Sequence, residues 1–343
     1  MMHSDLAIDV VIPAHNAQRD IVACLAPLLG MRHRGEIARI IVVDDASTDA
    51  TGAVAASAGA DRVVKLAACQ GAGGARNSGV AVSNAAIIWF VDADVVVHDN
   101  AARVLARHLS GSKKVDALFG SYGLEPIADN FLSQYKNLIH HRTHQRHAGP
   151  AQTFWTGCGA VTRAAFDAIN GFDAVGYRDI GMEDVDFGYR LRAAGYAIEL
   201  ISDWQCEHRK RWTVFNLLRV EIFHRALPWS RLILTHPKAP ARLNVDGVER
   251  LRAGIAGLFV LCVLLVLFGL ISAAWLAAPS IAVGYVNRGL FRFFNRHRGL
   301  IFAVRAVLFH QIYYLYSAAA FVYVWAEHHG CGLTRRFRRD RSV

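Results

Sequence analysis

The chain has 343 residues, 53% of them hydrophobic, a mean hydropathy of +0.23 and a formal net charge of +10. So apolar a composition excludes intrinsic disorder, and the length allows one large domain or two modest ones. The charge is uneven: residues 1–250 carry 27 basic against 26 acidic side chains, while residues 251–343 carry 11 against only Glu327 and Asp340. A near-neutral larger part speaks against nucleic acid as a partner, and the basicity belongs to the tail.

In chain order, short β-branched runs alternate with helical stretches. Strands are expected at Ile8–Ile12, Ile37–Val43, Arg62–Leu66, Ala86–Val91 and Val115–Phe119, and helices at Asp20–Leu29, Thr51–Ala58, Ala75–Ser83 and Asn100–Leu109. Apolar strands bounded by helices predict an α/β fold with a mostly parallel sheet between helices, whose ligands lie beyond the strands' carboxyl ends. A polar, His-rich helix over Asp129–His147 leads into a second α+β section. That section has a strand near Gly159–Thr162, a helix over Glu183–Ala194 and a strand at Tyr196–Ile201, and an amphipathic helix is expected over Thr213–Leu227. The pattern breaks up around Pro228–Pro240, and the domain boundary is expected near Asp246, giving domains 1–245 and 246–343.

The six cysteines are scattered without CxxC spacing, which predicts reduced thiols and neither a disulfide framework nor a zinc site. Leu6–Ala14 is too short for a signal peptide and carries Asp9 and Pro13, so the globular part is expected in the cytoplasm.

Acidic and glycine-rich motifs follow the predicted strands. Val11-Ile12-Pro13-Ala14-His15-Asn16 ends the first, and Val43-Asp44-Asp45-Ala46-Ser47-Thr48-Asp49 ends the second. The paired carboxylates can accept hydrogen bonds from a nucleobase or ribose, or Ser47 and Asp49 can cap a helix. Gly71-Ala72-Gly73-Gly74-Ala75-Arg76 lacks the third glycine of a dinucleotide fingerprint and follows the third strand rather than the first, which disfavours hydride transfer. Its Arg76 offers a fork for phosphate or carboxylate. Asp92-Ala93-Asp94 sets hard oxygen ligands at a strand end, suited to Mg²⁺ or Mn²⁺ held jointly with a diphosphate. Glu183-Asp184 opens a helix, where acidic residues favour the macrodipole or serve as a general base.

In this order, together with Gly73–Gly79 and Asn170-Gly171-Phe172-Asp173, these motifs resemble family 2 glycosyltransferases over roughly residues 8–225. The resemblance implies a GT-A fold and an inverting transfer from a nucleotide-activated sugar. Pro13, Asn16, Asp44, Asp45, Arg76 and Asp92 would bind the nucleotide sugar, Asp94 with Asp92 would hold a divalent cation, and Asp184 with Glu183 would supply the base. His208 resembles the position from which family members offer a histidine to the metal or diphosphate. The Gln-x-x-Arg-Trp motif of processive synthases is incomplete: Arg211-Trp212 is present, but His208 stands in place of the Gln, which points to one sugar per encounter. His140, His141, His144 and His147 have helical spacing, and acceptor contact suits them better than a metal.

The tail holds an uncharged run over Ala253–Asn287 and another over Ala306–Ala326. Spans are expected near 254–278 and 306–326, an interfacial helix near 288–298 with Arg288, Arg292 and Arg296 on one stripe, and a basic tail at 335–341. A re-entrant first segment is the alternative to two crossings. The expectation is a cell-membrane glycosyltransferase with its catalytic domain on the cytoplasmic face, acting in cell-envelope polysaccharide assembly on a lipid or lipid-linked acceptor. A polyprenyl-phosphate acceptor, or an inert membrane scaffold with the same fold, are the alternatives.

Overall fold

The computed structural model describes residues 7–111, 115–178, 181–235 and 247–339, with side chains described up to residue 329. The chain divides into two compact units at Thr213/Val214.

The first unit is built on a nine-stranded sheet. In chain order its elements are β1 (Ile8–Ala14), α1 (Ile21–His33), β2 (Arg39–Asp44), α2 (Thr51–Ser57), β3 (Arg62–Lys65), α3 (Gly71–Ala81), β4 (Ile87–Val91), β5 (Val95–Val97), α4 (Ala101–Leu109) and β6 (Ala117–Tyr122). They continue with α5 (Phe131–Arg146), β7 (Gly149–Pro150), β8 (Cys158–Thr162), α6 (Arg163–Ala168), α7 (Glu183–Ala193) and β9 (Ile198–His208). The strand order is β3-β2-β1-β4-β8-β6-β9-β5, with β7 pairing β9. Strands β3, β2, β1 and β4 are parallel, as expected, while β8 is antiparallel to both β4 and β6. Because β2 and β4 flank β1 on opposite sides, the strand order reverses there, and the crevice beyond their carboxyl ends is the natural ligand site.

Alternation along the strands feeds two cores, one on each face of the sheet. Val10, Ile12, Ile40, Val42, Trp89 and Val91 pack with Leu25, Leu28 and Met31 of α1 and Leu105 of α4. Val11, Ile41, Val43, Ile88 and Phe90 face Ala75 of α3, Phe166 of α6, and Phe187 and Leu191 of α7. A residue-by-residue switch of side is the two-residue period of a strand covered on both faces.

Helix α3 begins at Gly71, not at Ala75, so the glycine-rich stretch forms its first turn. It lies very close to the sheet: a Cβ on Gly79 would stand 2.4 Å from Val11 Cγ1 and 3.0 Å from Val43 Cγ2. Strand β9 runs beyond Ile201 to His208, and the short strand β5, which periodicity does not resolve, pairs with its end.

The second unit opens with α8 (Val214–Arg219), which passes through a π-helical turn (Val220–Ala226) into α9 (Leu227–Thr235). The helix expected to stop at Leu227 therefore continues past Pro228, which the wider π turn accommodates by loosening the backbone ladder. Asp246, the expected boundary, lies outside the described residues. The π turn and α9 belong to the second compact unit because they pack on its long C-terminal helix, α12. Among the described residues three further α-helices follow: α10 (Gly247–Leu267), α11 (Ala277–Val286) and α12 (Arg288–Arg339), the last broken at Gly299 (φ 81°, ψ 174°).

The stretch 254–278 is thus not one helix. After α10, Gly269 adopts φ +69°, its N–H bonds Val266 O and the Leu270 N–H bonds Leu265 O, a helix-ending turn that only a left-handed residue permits. Helix α11 has 10 residues, about 15 Å of rise, too short to cross a bilayer by itself. Among the described residues, α10 and α12 are long and apolar enough to cross a membrane by length and composition. The expected span 306–326 lies within α12, and the expected interfacial helix is its segment before Gly299, where Leu290 and Phe294 are buried while Arg288, Arg292 and Arg296 are exposed. The side chains of the basic tail expected at 335–341 lie outside the described residues.

Candidate active site

The carboxyl ends of β1 and β2 are laced together by side chains. Asn16, at φ 52°, accepts hydrogen bonds through Oδ1 from the Thr48 N–H (2.9 Å) and hydroxyl (3.0 Å), and its own N–H donates to Ser47 Oγ (3.0 Å). Asp49 accepts from the N–H groups of Thr51 and Gln18 and so ties the entry of α2 to the loop after β1, while the helix's N-cap residue, Ala50, offers no side-chain cap. Burial separates the two neighbouring aspartates from solvent. Asp44 accepts the Ser47 N–H at 2.9 Å and closes its own turn. Asp45 reaches across to α3, accepting the N–H of Gln70 at 2.7 Å and of Gly71 at 2.9 Å. That carboxylate, supplied from another strand, satisfies amides at the start of α3 and explains why the helix begins four residues earlier than periodicity suggests. Pro13 lies beside Val43 in the β1–β2 register, at the same rim.

Arg76 is 3% exposed and joins two of the acidic motifs. One guanidinium nitrogen donates to Asp92 Oδ1 at 2.7 Å and the other to Glu183 Oε1 at 2.8 Å, and the group lies 5.6 Å from the centre of the Phe172 ring. Its two carboxylate partners raise its pKa above the ordinary value against the opposing cost of burial. The fork open to phosphate or carboxylate in the sequence therefore holds carboxylates. Glu183 is engaged in this pairing, while Asp184, next on the same helical turn, accepts the Val185 N–H at 2.8 Å.

Asp94 and His208 converge through strand pairing. In the β5–β9 register Val95 stands opposite His208, and the Arg209 N–H bonds Asp94 O at 2.8 Å. This brings His208 Nε2 to 3.7 Å from Asp94 Oδ1. Burial pushes the Asp94 carboxyl pKa up, with Asp92 adding to the rise and His208 and Lys210 opposing it. A carboxylate desolvated beside a second carboxylate, with an imidazole at its shoulder, is a donor set that a divalent cation would relieve. Asp92 is shared between this group and Arg76, so the structure brings Arg76, Asp92, Asp94, Glu183 and His208 into one connected set. Asn16, Asp44 and Asp45 form a second set at the neighbouring strand ends.

The histidines of α5 turn to different partners. His141 Nδ1 bonds Tyr122 O at 2.7 Å, His147 Nδ1 bonds Thr143 O, and His140 stacks on Tyr122 with ring centres 5.0 Å apart. Tyr122 also stacks on Trp155 (4.6 Å) and His208 (5.9 Å), forming an aromatic row that ends at the Asp94 group. Sequence reasoning misses Tyr122 and Trp155. The one available signal is that Tyr122 follows the fifth predicted strand, where a ligand-side residue belongs. Burial, with His141 and His147 adding to it, lowers the His144 pKa from 6.5 to about 3.

Known proteins resemble this chain in sequence and in fold. Residues 9–169 match the model of glycosyl transferase family 2, and residues 136–212 match that described as the N-terminal domain of galactosyltransferase. A probable glycosyltransferase, YdaM of Bacillus subtilis (strain 168), is 29% identical over 138 residues, 38% of this chain; the match spans about a third of YdaM, 33%. The mannosyltransferase PcManGT from Pyrobaculum calidifontis, solved with GDP-Man and Mn²⁺, superposes with a TM-score of 0.58 at 17% identity, covering 90% of this chain and 87% of that one. S. aureus TarS 1–349 is similar at a TM-score of 0.48 and 14% identity, covering 95% and 92% of the two chains. The fold is GT-A.

Two measurements test this geometry. Arg76→Met leaves two carboxylates without their cation, so urea unfolding should register a loss of about 3 kcal/mol, part of which returns when Glu183→Gln is added. His144 is held neutral in the folded unit, whereas the unfolded chain takes up its proton as pH falls through 6.5. Its contribution to stability is therefore present above 6.5 and lost progressively as pH drops toward about 3. Denaturation midpoints measured at pH 7 and pH 5 should fall less in His144→Phe than in the unsubstituted protein.

Proposed function

We propose that this chain, whose residues 9–169 carry a family 2 glycosyltransferase domain, is a membrane-anchored, inverting enzyme that moves a single sugar from a nucleotide-sugar donor to a hydroxyl on a lipid or lipid-linked saccharide. The observation that carries this reading is the connected set around Arg76: a cation-suited pair, Asp94 and His208, linked through Asp92 and Arg76 to the helix turn that bears Asp184. Inversion by single displacement requires these two poles, one at the leaving group and one at the attacking hydroxyl.

In this reading Asp94 and His208, with Asp92, hold Mg²⁺ or Mn²⁺, and PcManGT's complex with GDP-Man and Mn²⁺ supports that choice. The cation would supply charge neutralisation for the departing nucleoside diphosphate. Asn16, Pro13 and Asp45 line the nucleotide end of the crevice, while Asp44 and Arg76 keep its walls in place. Asp184 takes the proton from the acceptor hydroxyl as that oxygen bonds the anomeric carbon and the sugar–diphosphate bond breaks. Glu183, already paired with Arg76, holds the turn that aims Asp184. The row of Tyr122, Trp155 and His140 offers ring faces suited to a sugar of the acceptor.

Membrane anchoring rests on the second unit. Helix α10 is 21 residues long, about 31 Å, and exposes Leu251, Leu258, Leu261, Leu264 and Leu267. The α10–α11 pair is a helical hairpin consistent with a re-entrant segment, and α12 beyond Gly299 would cross. The exposed arginines before Gly299 suit an anionic cytoplasmic surface, on which the enzyme would act in cell-envelope polysaccharide assembly.

Transfer assays with nucleotide sugars on membrane lipid extracts test the reading. Asp184→Asn should slow transfer by about 100-fold or more; near-normal turnover would instead indicate an acceptor already ionised, such as a polyprenyl phosphate. Asp94→Ala should abolish cation-dependent donor binding in calorimetry, and unchanged affinity would remove Asp94 from the metal site.

A further inference from the structure

His15, Asp45 and Cys69 come together although they lie far apart in the sequence. One ligand atom from each of the three lies within 4.8 Å of the others, and among the described residues this is the one such group of three. Cys69 is free and solvent-accessible, and its thiol donates to Asp45 Oδ2 at 3.3 Å. His15 Nδ1 lies 2.8 Å from Asp45 O, and since a carbonyl only accepts, Nδ1 carries the proton and Nε2 keeps its lone pair. Asn16 Nδ2 stands 3.1 Å from that Nε2. An imidazole fixed in one tautomer by a backbone carbonyl is the arrangement that orients histidine ligands toward metals. Asp45 is held still by the amides of Gln70 and Gly71, so the carboxylate ligand is positioned before any ion arrives.

We propose that His15, Asp45 and Cys69 form a binding site for a thiophilic divalent ion of the Zn²⁺ class, separate from the hard-cation pair Asp94 and His208. Nitrogen, sulfur and carboxylate oxygen are the zinc donor set, and three protein ligands leave the fourth tetrahedral position to water. Ligand atoms around such an ion stand roughly 3.3–3.6 Å apart, so the Cys69–Asp45 spacing is already right and the exposed His15 ring closes the remainder. On binding, a metal–sulfur bond replaces the thiol S–H bond, and the proton leaves to solvent. The ion sits at the β1 and β2 ends, so it competes with a nucleotide there; this second part rests on the nucleotide-sugar reading and makes the site an inhibitory one.

The test uses the full chain in detergent with Co²⁺ as a spectroscopic stand-in for Zn²⁺. A near-ultraviolet thiolate-to-cobalt band should appear, be displaced by Zn²⁺, vanish in Cys69→Ser and need about tenfold more Co²⁺ in His15→Ala. It should survive Asp94→Ala. Circular dichroism melts of the variants confirm that each is folded. No band, or a band that persists in Cys69→Ser, overturns the site. Calorimetry with UDP and GDP in Mg²⁺ tests the competition: Zn²⁺ should weaken nucleotide binding to the unsubstituted protein and not to Cys69→Ser, and unweakened binding to the zinc-loaded protein overturns the inhibitory role. If neither nucleotide binds even without Zn²⁺, the nucleotide reading has failed while the cobalt result still decides the metal site.

Discussion

The buried guanidinium of Arg76 ties the candidate site together. An arginine at 3% exposure is costly to desolvate, and it is tolerated because Asp92 and Glu183 each meet one arm of its fork. Those carboxylates belong to the end of β4 and the start of α7, so one side chain fixes the spacing between the cation-suited aspartates and the helix turn that carries Asp184. The pairing also divides labour within two acidic motifs. Asp92 and Glu183 are tied to the guanidinium and Asp94 and Asp184 are not; in the proposed reaction Asp94, with Asp92, holds the cation and Asp184 is the base.

Arg76 reaches that position only because α3 packs without side chains in the way. A Cβ at Gly79 would collide with Val11, and one at Gly73 would press on Phe172 Cβ at 3.3 Å and Glu183 Cγ at 3.5 Å. The glycine-rich stretch thus serves the approach of helix to sheet and of α7 to α3. Asp45 closes the same arrangement from the other side by receiving the first amides of α3. Sheet, glycine-rich helix and acidic strand ends form one mechanical unit, in which the proposed nucleotide pocket and soft-metal site share the Asp45 end.

The second unit follows a different rule. Its helices expose leucines along α10 and bury polar groups instead: Tyr314 donates to Asn287 Oδ1 at 2.9 Å, and Tyr316 donates to Glu221 Oε2 at 3.0 Å. Polar side chains turned inward and apolar ones turned outward would suit the lipid-facing unit that the proposed anchoring calls for. Composition shows the apolar character of the tail but not its geometry. An uncharged run reads the same whether it is straight or folded back, and the turn at Gly269 depends on a single left-handed residue among apolar neighbours.

By itself the sequence determined the parallel half of the sheet, since near-continuous apolar β-branched runs bounded by helical stretches have few other stable homes, and it determined that acidic motifs gather at strand ends. The +10 charge likewise resolved, from the sequence alone, into a neutral globular part and a basic apolar tail. Tertiary structure decided what each motif does. Arg76 meets carboxylates because α3 and α7 pack face to face; His208 meets Asp94 because β9 outruns its periodic core to pair with β5; and Cys69 meets His15 and Asp45 because three strand-end loops converge. In each case the partners are separated by sixteen or more residues in the chain, and local pattern carries information only over the few residues of a turn or a strand, so only the closed fold could bring these charges and lone pairs within reach of one another.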